Sequence, residues 1–419
     1  MLWRFSLYGL LKNQRYFEAF LVLAFVERGL SFSQIGLLVG LRELTANLLE
    51  IPSGALADLL GRRRCMVTAF AAYVAAYLLL GLLVAPWAMA AGMLLIGCGD
   101  AFRSGTHKAM IFDWLAEQGR PEDRVRVYGS TRSWSQVGSA VAVPIAAGVV
   151  LWRGGYDDVF WLSAIPAALN LVNLATYPRS LEGTRPEGMS VGDAARELWR
   201  AARALWPRRP LRRLLVEAAA FSGTYRALKD YLQPLLQAAA LGLPFWVVGE
   251  PSQRTAVLLG AVYVLLFLLS AVAARGAHRL VTRAGSEDRA AGWIRGLVVG
   301  VFVAMLVGTG LQWRALGVAA FVLLALVHNL FRPVLVARFD QHAPAELGAT
   351  VLSVESQASS LAAVVLAPLL GLAVDLASGG GIVRIWPVAA AGLLLSGAMW
   401  WAGSRSHVTK PRRTSDGAS

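Results

Sequence analysis

Long apolar runs broken by short polar segments dominate the chain, with examples at 65–93, 256–274 and 387–402. A helix rising 1.5 Å per residue crosses a hydrocarbon core of ~30 Å in about twenty residues, and several runs reach that length. Apolar and polar positions do not alternate with period two, which excludes the strands of a membrane barrel. Helices remain, because lipid offers no partner to open backbone. The pattern predicts an all-α integral membrane protein with spans at 6–27, 33–57, 65–85, 88–116, 125–151, 158–177, 212–239, 254–275, 290–312, 315–338, 346–374 and 385–403.

This layout divides the chain into a six-helix bundle at 1–178, a linker at 179–211, a second six-helix bundle at 212–404 and a basic, disordered tail at 405–419. Within the linker, Ser190–Trp206 reads as an amphipathic helix. Val191, Leu198, Trp199 and Leu205 share one face, and Arg196, Arg200 and Arg203 hold the other. Such a helix would lie on the inner leaflet against anionic headgroups, or serve as a plain linker.

Composition agrees with the pattern: 56% of residues are hydrophobic and 16% charged, against roughly a quarter charged in soluble chains. The formal charge of +14 would fit a nucleic-acid binder, but its placement argues otherwise. Cations gather at 62–64, 120–126, 179–213, 275–283, 338 and 405–413, and the intervening turns hold few. Positive-inside logic puts the first set and both termini in the cytoplasm, with the first span an uncleaved anchor in the cytoplasmic (inner) membrane. Cys65 and Cys98 lie in apolar runs and imply no disulfide framework.

Ionisable side chains inside the spans carry the functional signal. Each costs at least ~2.5–3.5 kcal/mol at mid-bilayer, so it should face protein or a water-filled cavity. Spans three, six and twelve are nearly free of charge, span eight is clean, and span nine holds only Arg295, near enough to one end to snorkel. Spans one, two, four, five, seven, ten and eleven carry the rest. Asp100, Arg103 and His107 form one stripe of span four, with Lys108 beside it; Glu43, Asn47 and Glu50 form one on span two. On span seven Arg226, Lys229, Asp230 and Gln233 share a face with Tyr225 alongside. His328 and Arg332, i and i+4 on span ten, flank Asn329; Arg132 lies on span five. The arrangement fits two bundles around a polar cavity. Opposite charges such as Asp100 with Arg103, or Arg226 with Asp230, would otherwise be packing ion pairs, which stabilise poorly.

A duplication is visible as well. Phe102-Arg103 and Phe331-Arg332 lie 229 residues apart, Phe112-Asp113 and Phe339-Asp340 lie 227 apart, and Gly129-Ser130-Thr131 matches Gly348-Ala349-Thr350.

Between spans two and three runs Gly54-Ala55-Leu56-Ala57-Asp58-Leu59-Leu60-Gly61-Arg62-Arg63. It resembles the cytoplasmic loop signature of the major facilitator superfamily, Gly-x-x-x-Asp-x-x-Gly-Arg-Arg, and departs from it at Leu59, where a cation is usual. The resemblance covers the whole chain in layout. It implies a monomeric secondary transporter working by alternating access, with Gly54, Asp58, Gly61, Arg62, Arg63 and Asp113 latching the inner face. The substrate would be a small organic solute, with an anion favoured by Arg103, Lys108, Arg226, Lys229 and Arg332. Arg132, His107, Tyr225, His328 and Asn329 complete the expected binding set. Proton coupling would use a buried carboxylate among Glu18, Glu43, Glu50, Asp100 and Glu355.

No nucleotide-binding loop, His-Glu-x-x-His or Gly-x-Ser-x-Gly motif occurs, so no enzyme, cofactor, metal or nucleic-acid role is expected. A sensor on a transporter scaffold and a lipid flippase of the same fold are the alternatives.

Overall fold

The computed structural model describes residues 1–182, 206–243, 249–342, 348–379 and 383–404, with Arg196, Arg200 and Arg203. The amphipathic helix expected at 190–206 falls almost wholly outside the described residues, as does the tail beyond 404.

Span one is broken into α1 (Leu2–Lys12), a 3-10 turn at Tyr16–Ala19 and α2 (Leu21–Glu27). Spans two and three are α3 (Phe32–Leu60) and α4 (Arg62–Leu82). Span four is α5 (Pro86–Arg103) followed by α6 (Thr106–Glu117), and α7 (Arg124–Arg153) and α8 (Asp158–Ala175) complete the first half. Span seven is the most irregular: α9 (Arg209–Ala218), a π turn at Ala219–Gly223, α10 (Thr224–Leu228), a 3-10 turn at Lys229–Tyr231 and α11 (Leu232–Leu241). Then follow α12 (Pro251–Ala284), α13 (Glu287–Gly310), α14 (Arg314–His342), α15 (Gly348–Ser378) and α16 (Trp386–Ser404).

Local chemistry sets these ends. Ser31 and Gln34 form a capping box at the start of α3, and Glu250 with Gln253 does so for α12. Gly105, at φ 73°, divides α5 from α6, a backbone state that favours glycine. The largest boundary difference is at α12, which continues past the expected end at 275 to Ala284 before Gly285 stops it at φ 76°. Its last turns are basic, so the helix outruns the apolar run that the sequence pattern detects.

Seven of these helices are long and apolar enough to cross a membrane. Of the other five spans, one, four and seven are broken and α3 carries charges, whereas α16 is apolar along its 19 residues. Leu82, Leu268, Val272, Leu376 and Leu394 stand exposed on the rim, a surface that water would penalise and lipid would not. Trp3, Trp87, Trp152 and Trp313 are exposed at or near span ends, where amphipathic rings sit in membrane interfaces.

The two halves meet through α3 against α15 and α7 against α12. Both seams are tight at the same end of the molecule. A Cβ on Gly371 would lie 2.1 Å from the Phe32 carbonyl oxygen, and one on Gly36 would lie 2.3 Å from that of Ala367. These backbones approach as only small residues permit. Asp375 accepts from the Phe32 and Ser33 N–H groups at 2.9 and 2.8 Å, capping a helix of the opposite half. On the second seam Ser252 donates to the Gly154 carbonyl at 2.6 Å, and Gln253 donates to that of Leu151 at 2.7 Å. We call this the closed end. The clustered arginines at 62–64, 120–126 and 275–283 mark the other, basic end.

A bulky side chain at Gly36 or Gly371 should force the seam apart. A disulfide between Ser33→Cys and Asp375→Cys is expected to form readily in the parent chain and to be lost when Gly36→Leu is added. Unchanged cross-linking in both backgrounds would contradict this packing.

Candidate functional site

Span one breaks at mid-height; Gln233 of span seven bonds to backbone groups just beyond the break, and side-chain amides at the break tie it to span five. Asn13 donates to the Ser135 carbonyl and to Ser139 Oγ, both at 2.9 Å, and Gln14 donates to the Gly138 carbonyl at 3.2 Å. The break turns Arg15 and Glu18 into the molecule. Arg15 meets Asp100 Oδ1 at 2.7 Å, Arg42 meets Asp100 Oδ2 at 2.9 Å, and Tyr73 donates to Oδ1 at 2.7 Å. Arg103 lies 3.5 Å from the same carboxylate and donates to Tyr73 Oη at 3.0 Å. Three arginines thus share Asp100. Glu18 balances part of the excess, 3.1 Å from Arg15 and 3.5 Å from Arg42.

Between the halves lies a cavity of about 270 Å³. Arg15, Tyr16, Glu18 and Ser139 face it from the first half, and Tyr225, Lys229, Asp230, Tyr263, Phe267 and Phe321 from the second. A second cavity, about 380 Å³, opens on the first half beside it. Arg103, His107, Lys108 and Arg132 line it together with Lys12, Asn13 and Asp100. His107 is buried and stacked on Tyr8, ring centroids 3.6 Å apart.

The expected binding residues therefore separate into groups. Tyr225 and Lys229 reach the central cavity. Arg226 does not face it: it donates to Ser360 Oγ at 2.7 Å and lies 3.5 Å from Glu43, tying α10 to α15 and α3. His328 stacks behind Tyr225 at 4.0 Å, and Asn329 is spent on Ser270 Oγ and the Ala325 carbonyl. Arg332 pairs with Glu355 at 2.5 Å, and Ser359 donates to the same buried carboxylate at 3.1 Å. Glu50 accepts from Ser104 at 3.3 Å beside the break in span four.

Two sequence expectations are corrected, and the rival Arg226–Asp230 pairing is removed. The stripe Asp100, Arg103 and His107 is not one helical face, since Gly105 interrupts the span; its members converge on one cavity regardless. Arg226 and Asp230 do not pair, because the 3-10 turn rotates Asp230 toward Lys229, 3.0 Å away. Arg295 does not snorkel. It is buried and meets Glu217 Oε1 at 3.2 Å, while Arg338 takes Oε2 at 2.9 Å.

At the basic end Gly61 joins α3 to α4 with φ 101°. Arg62, the first residue of α4, pairs with Asp113 near the end of α6, whereas Arg63 donates to the Tyr177 carbonyl at 3.0 Å. Gly54 and Asp58 belong to α3, and their side-chain surroundings fall outside what is described. The second half repeats the pair with its charges exchanged: Asp288 in the first turn of α13 meets Arg338 near the end of α14 at 2.8 Å.

The sequence model of the Major Facilitator Superfamily matches residues 14–368. The chain belongs to that superfamily. No curated protein matches the sequence. Among solved structures, a variant of the nucleoside transporter NupG aligns with a TM-score of 0.74 at 13% identity, covering 96% of this chain and 99% of that one. A POT family transporter in complex with 5-aminolevulinic acid gives 0.68 at 14%, covering 96% and 94%. A peptide transporter POT in complex with sulfate gives 0.68 at 15%, covering 96% and 93%. At these identities the likeness shows the fold. The chain is thus a multi-pass membrane protein of the superfamily's two-bundle architecture, and family and neighbours both support a secondary transporter.

Arg15 and Arg42, which the sequence places inside spans one and two, are not among the expected site residues. A charge in an apolar run was the available signal. Tyr16, Tyr73, Tyr263, Phe267 and Phe321 were missed because an aromatic in an apolar run reads as core or lipid contact.

Asp100→Asn would leave Arg15, Arg42 and Arg103 without their shared anion. We expect a loss of about 3 kcal/mol in stability, visible as a lower unfolding temperature in detergent. An unchanged transition would mean that the cluster is not held as described.

Proposed function

We propose that the protein moves a small organic anion across the cytoplasmic membrane by alternating access, driven by the proton gradient. The observation that carries the reading is the central cavity. Ionic and aromatic groups from both halves line it, and the seams that join the halves are tightest at one end. A site between two rigid bundles, sealed at one end by backbone contact, is the geometry that rocking requires.

Charge placement supports the orientation. By the positive-inside rule the basic end lies in the cytoplasm with both termini, and the closed end faces outward. The conformation is then inward-facing. In this reading Arg62, Arg63 and Asp113, with Gly54, Asp58 and Gly61, form the inner latch, and Asp288 with Arg338 is its counterpart in the second half.

The anionic preference is supported by Lys12, Arg103, Lys108 and Arg132 around the second cavity. Its one carboxylate, Asp100, is already engaged by Arg15, Arg42 and Tyr73. For coupling, the strongest carboxylate is Glu355, which is 1% exposed and bound to Arg332. Protonation would release Arg332 and loosen α14 from α15, linking proton binding to movement of one helix against another. Glu43, 3.5 Å from Arg226, joins the two halves and would respond to that movement, whereas the Glu18 carboxylate pairs within the first half.

Proteoliposomes given an inward proton gradient should accumulate a labelled organic acid from a panel, and collapse of the gradient should stop accumulation. Glu355→Gln is expected to abolish gradient-driven accumulation while leaving solute exchange at equal pH within a few-fold of the parent. Accumulation that ignored both the gradient and this substitution would refute proton coupling through Glu355.

A further inference from the structure

The two cavities are not independent. Asn13 lines both, and its amide bonds to Ser135 on the vestibule side and to Ser139 on the central side. They therefore adjoin across one side chain, yet their chemistry differs sharply.

The central cavity is walled by five rings: Tyr16, Tyr225, Tyr263, Phe267 and Phe321. Its charges are matched in place, Lys229 with Asp230 at 3.0 Å and Glu18 with Arg15 at 3.1 Å, so it offers little net charge to a ligand. Aromatic walls favour a flat ring, which gains offset or edge contacts beyond simple burial. A volume of about 270 Å³ suits a group of one or two rings.

The vestibule reverses this balance. Four cations face it, and Arg132 makes no hydrogen bond or ion pair among the described residues. Lys12 and Lys108 rest over the rings of Tyr8 and Phe112, at 5.5 and 5.4 Å, contacts far weaker than a carboxylate would provide. Thr131, Ser135 and Gln136 add hydroxyl and amide groups to the wall.

We infer that the two cavities are halves of one binding site for an aryl carboxylate, with the ring seated in the aromatic central cavity and the acid reaching past Asn13 to Lys108 and Arg132. The inference rests on the transport reading of the cavity and narrows its substrate class. It also gives Asn13 a role as the positioning residue between the two compartments. A solute with ring but no acid, or acid but no ring, fills half the site and should bind poorly.

Titration calorimetry on the purified full-length chain, with 1-naphthylacetate, its uncharged amide and acetate as probes, tests this directly. The aryl acid is expected to bind at least about tenfold tighter than either of the others. Lys108→Gln with Arg132→Gln should bring the acid down to the level of the amide and leave the amide unchanged. Phe267→Ala should weaken both aryl probes. Equal affinity for acid and amide, equal affinity for aryl acid and acetate, no measurable binding of the aryl acid, or indifference to the double substitution would overturn the inference. Proteoliposome flux separates the two claims. A chain that transports organic acids without discriminating among these probes loses the two-part site and keeps transport. A chain that binds the aryl acid as described but moves nothing keeps the site and loses transport.

Discussion

The cost of holding ionised groups away from water governs this structure. A lone arginine in a low-dielectric interior is prohibitive, and an ion pair there recovers its desolvation only with good geometry and further hydrogen bonds. Asp100 meets that demand by gathering Arg15, Arg42 and Tyr73 within hydrogen-bond distance. Glu217 does the same with Arg295 and Arg338. In consequence spans one, two, three and four are tied at one centre, and spans seven, nine and ten at another. Each half is stiffened internally by charges that lipid could not accept.

Between the halves the rule is different. Contacts at the closed end are mostly backbone-scale: glycines against carbonyls, and helix ends capped by single side chains such as Asp375 and Ser252. Such contacts bury little charge, and the ring stack of Phe32 on Tyr231, centroids 5.9 Å apart, is apolar, so they can part without stranding an ion in lipid. Stiff bundles joined by separable seams move as bodies. Arg226, reaching Ser360 and Glu43, and Gln233, bonded to the Val22 N–H and the Glu18 carbonyl, are the polar ties that such a movement must exchange. The exchanged polarity of the Arg62–Asp113 and Asp288–Arg338 pairs adds an asymmetry. The same positions in each half are held by opposite partners, so the arginine is carried by the third span in one half and by the fourth in the other.

Much of this was legible in the chain. The twelve spans follow from apolar run length, and the charged spans from the cost of burying their side chains. The loop motif around Gly61 and Arg62 pointed to the superfamily directly. What failed were inferences that assumed unbroken helices. Breaks at Asn13–Arg15, Ser104–Gly105 and Lys229–Tyr231 redirect side chains that regular periodicity would place elsewhere, and the resulting partners come from distant spans. Asp100 sits 85 residues from Arg15 and 58 from Arg42, a pairing that no local spacing encodes. The aromatic lining was invisible for a simpler reason. A tyrosine or phenylalanine facing a cavity and one facing lipid look alike in sequence.

The central claim is that two rigid halves exchange closure between the two ends of one cavity. Double electron–electron resonance with spin labels on α3 and α15 at the closed end, and a second pair on α6 and α14 at the basic end, measures it most directly. The account predicts two populations at each pair with opposite weights: conditions that lengthen the first distance shorten the second. Distances that lengthen together, or a single fixed distance at both ends under every pH and solute tried, would contradict it.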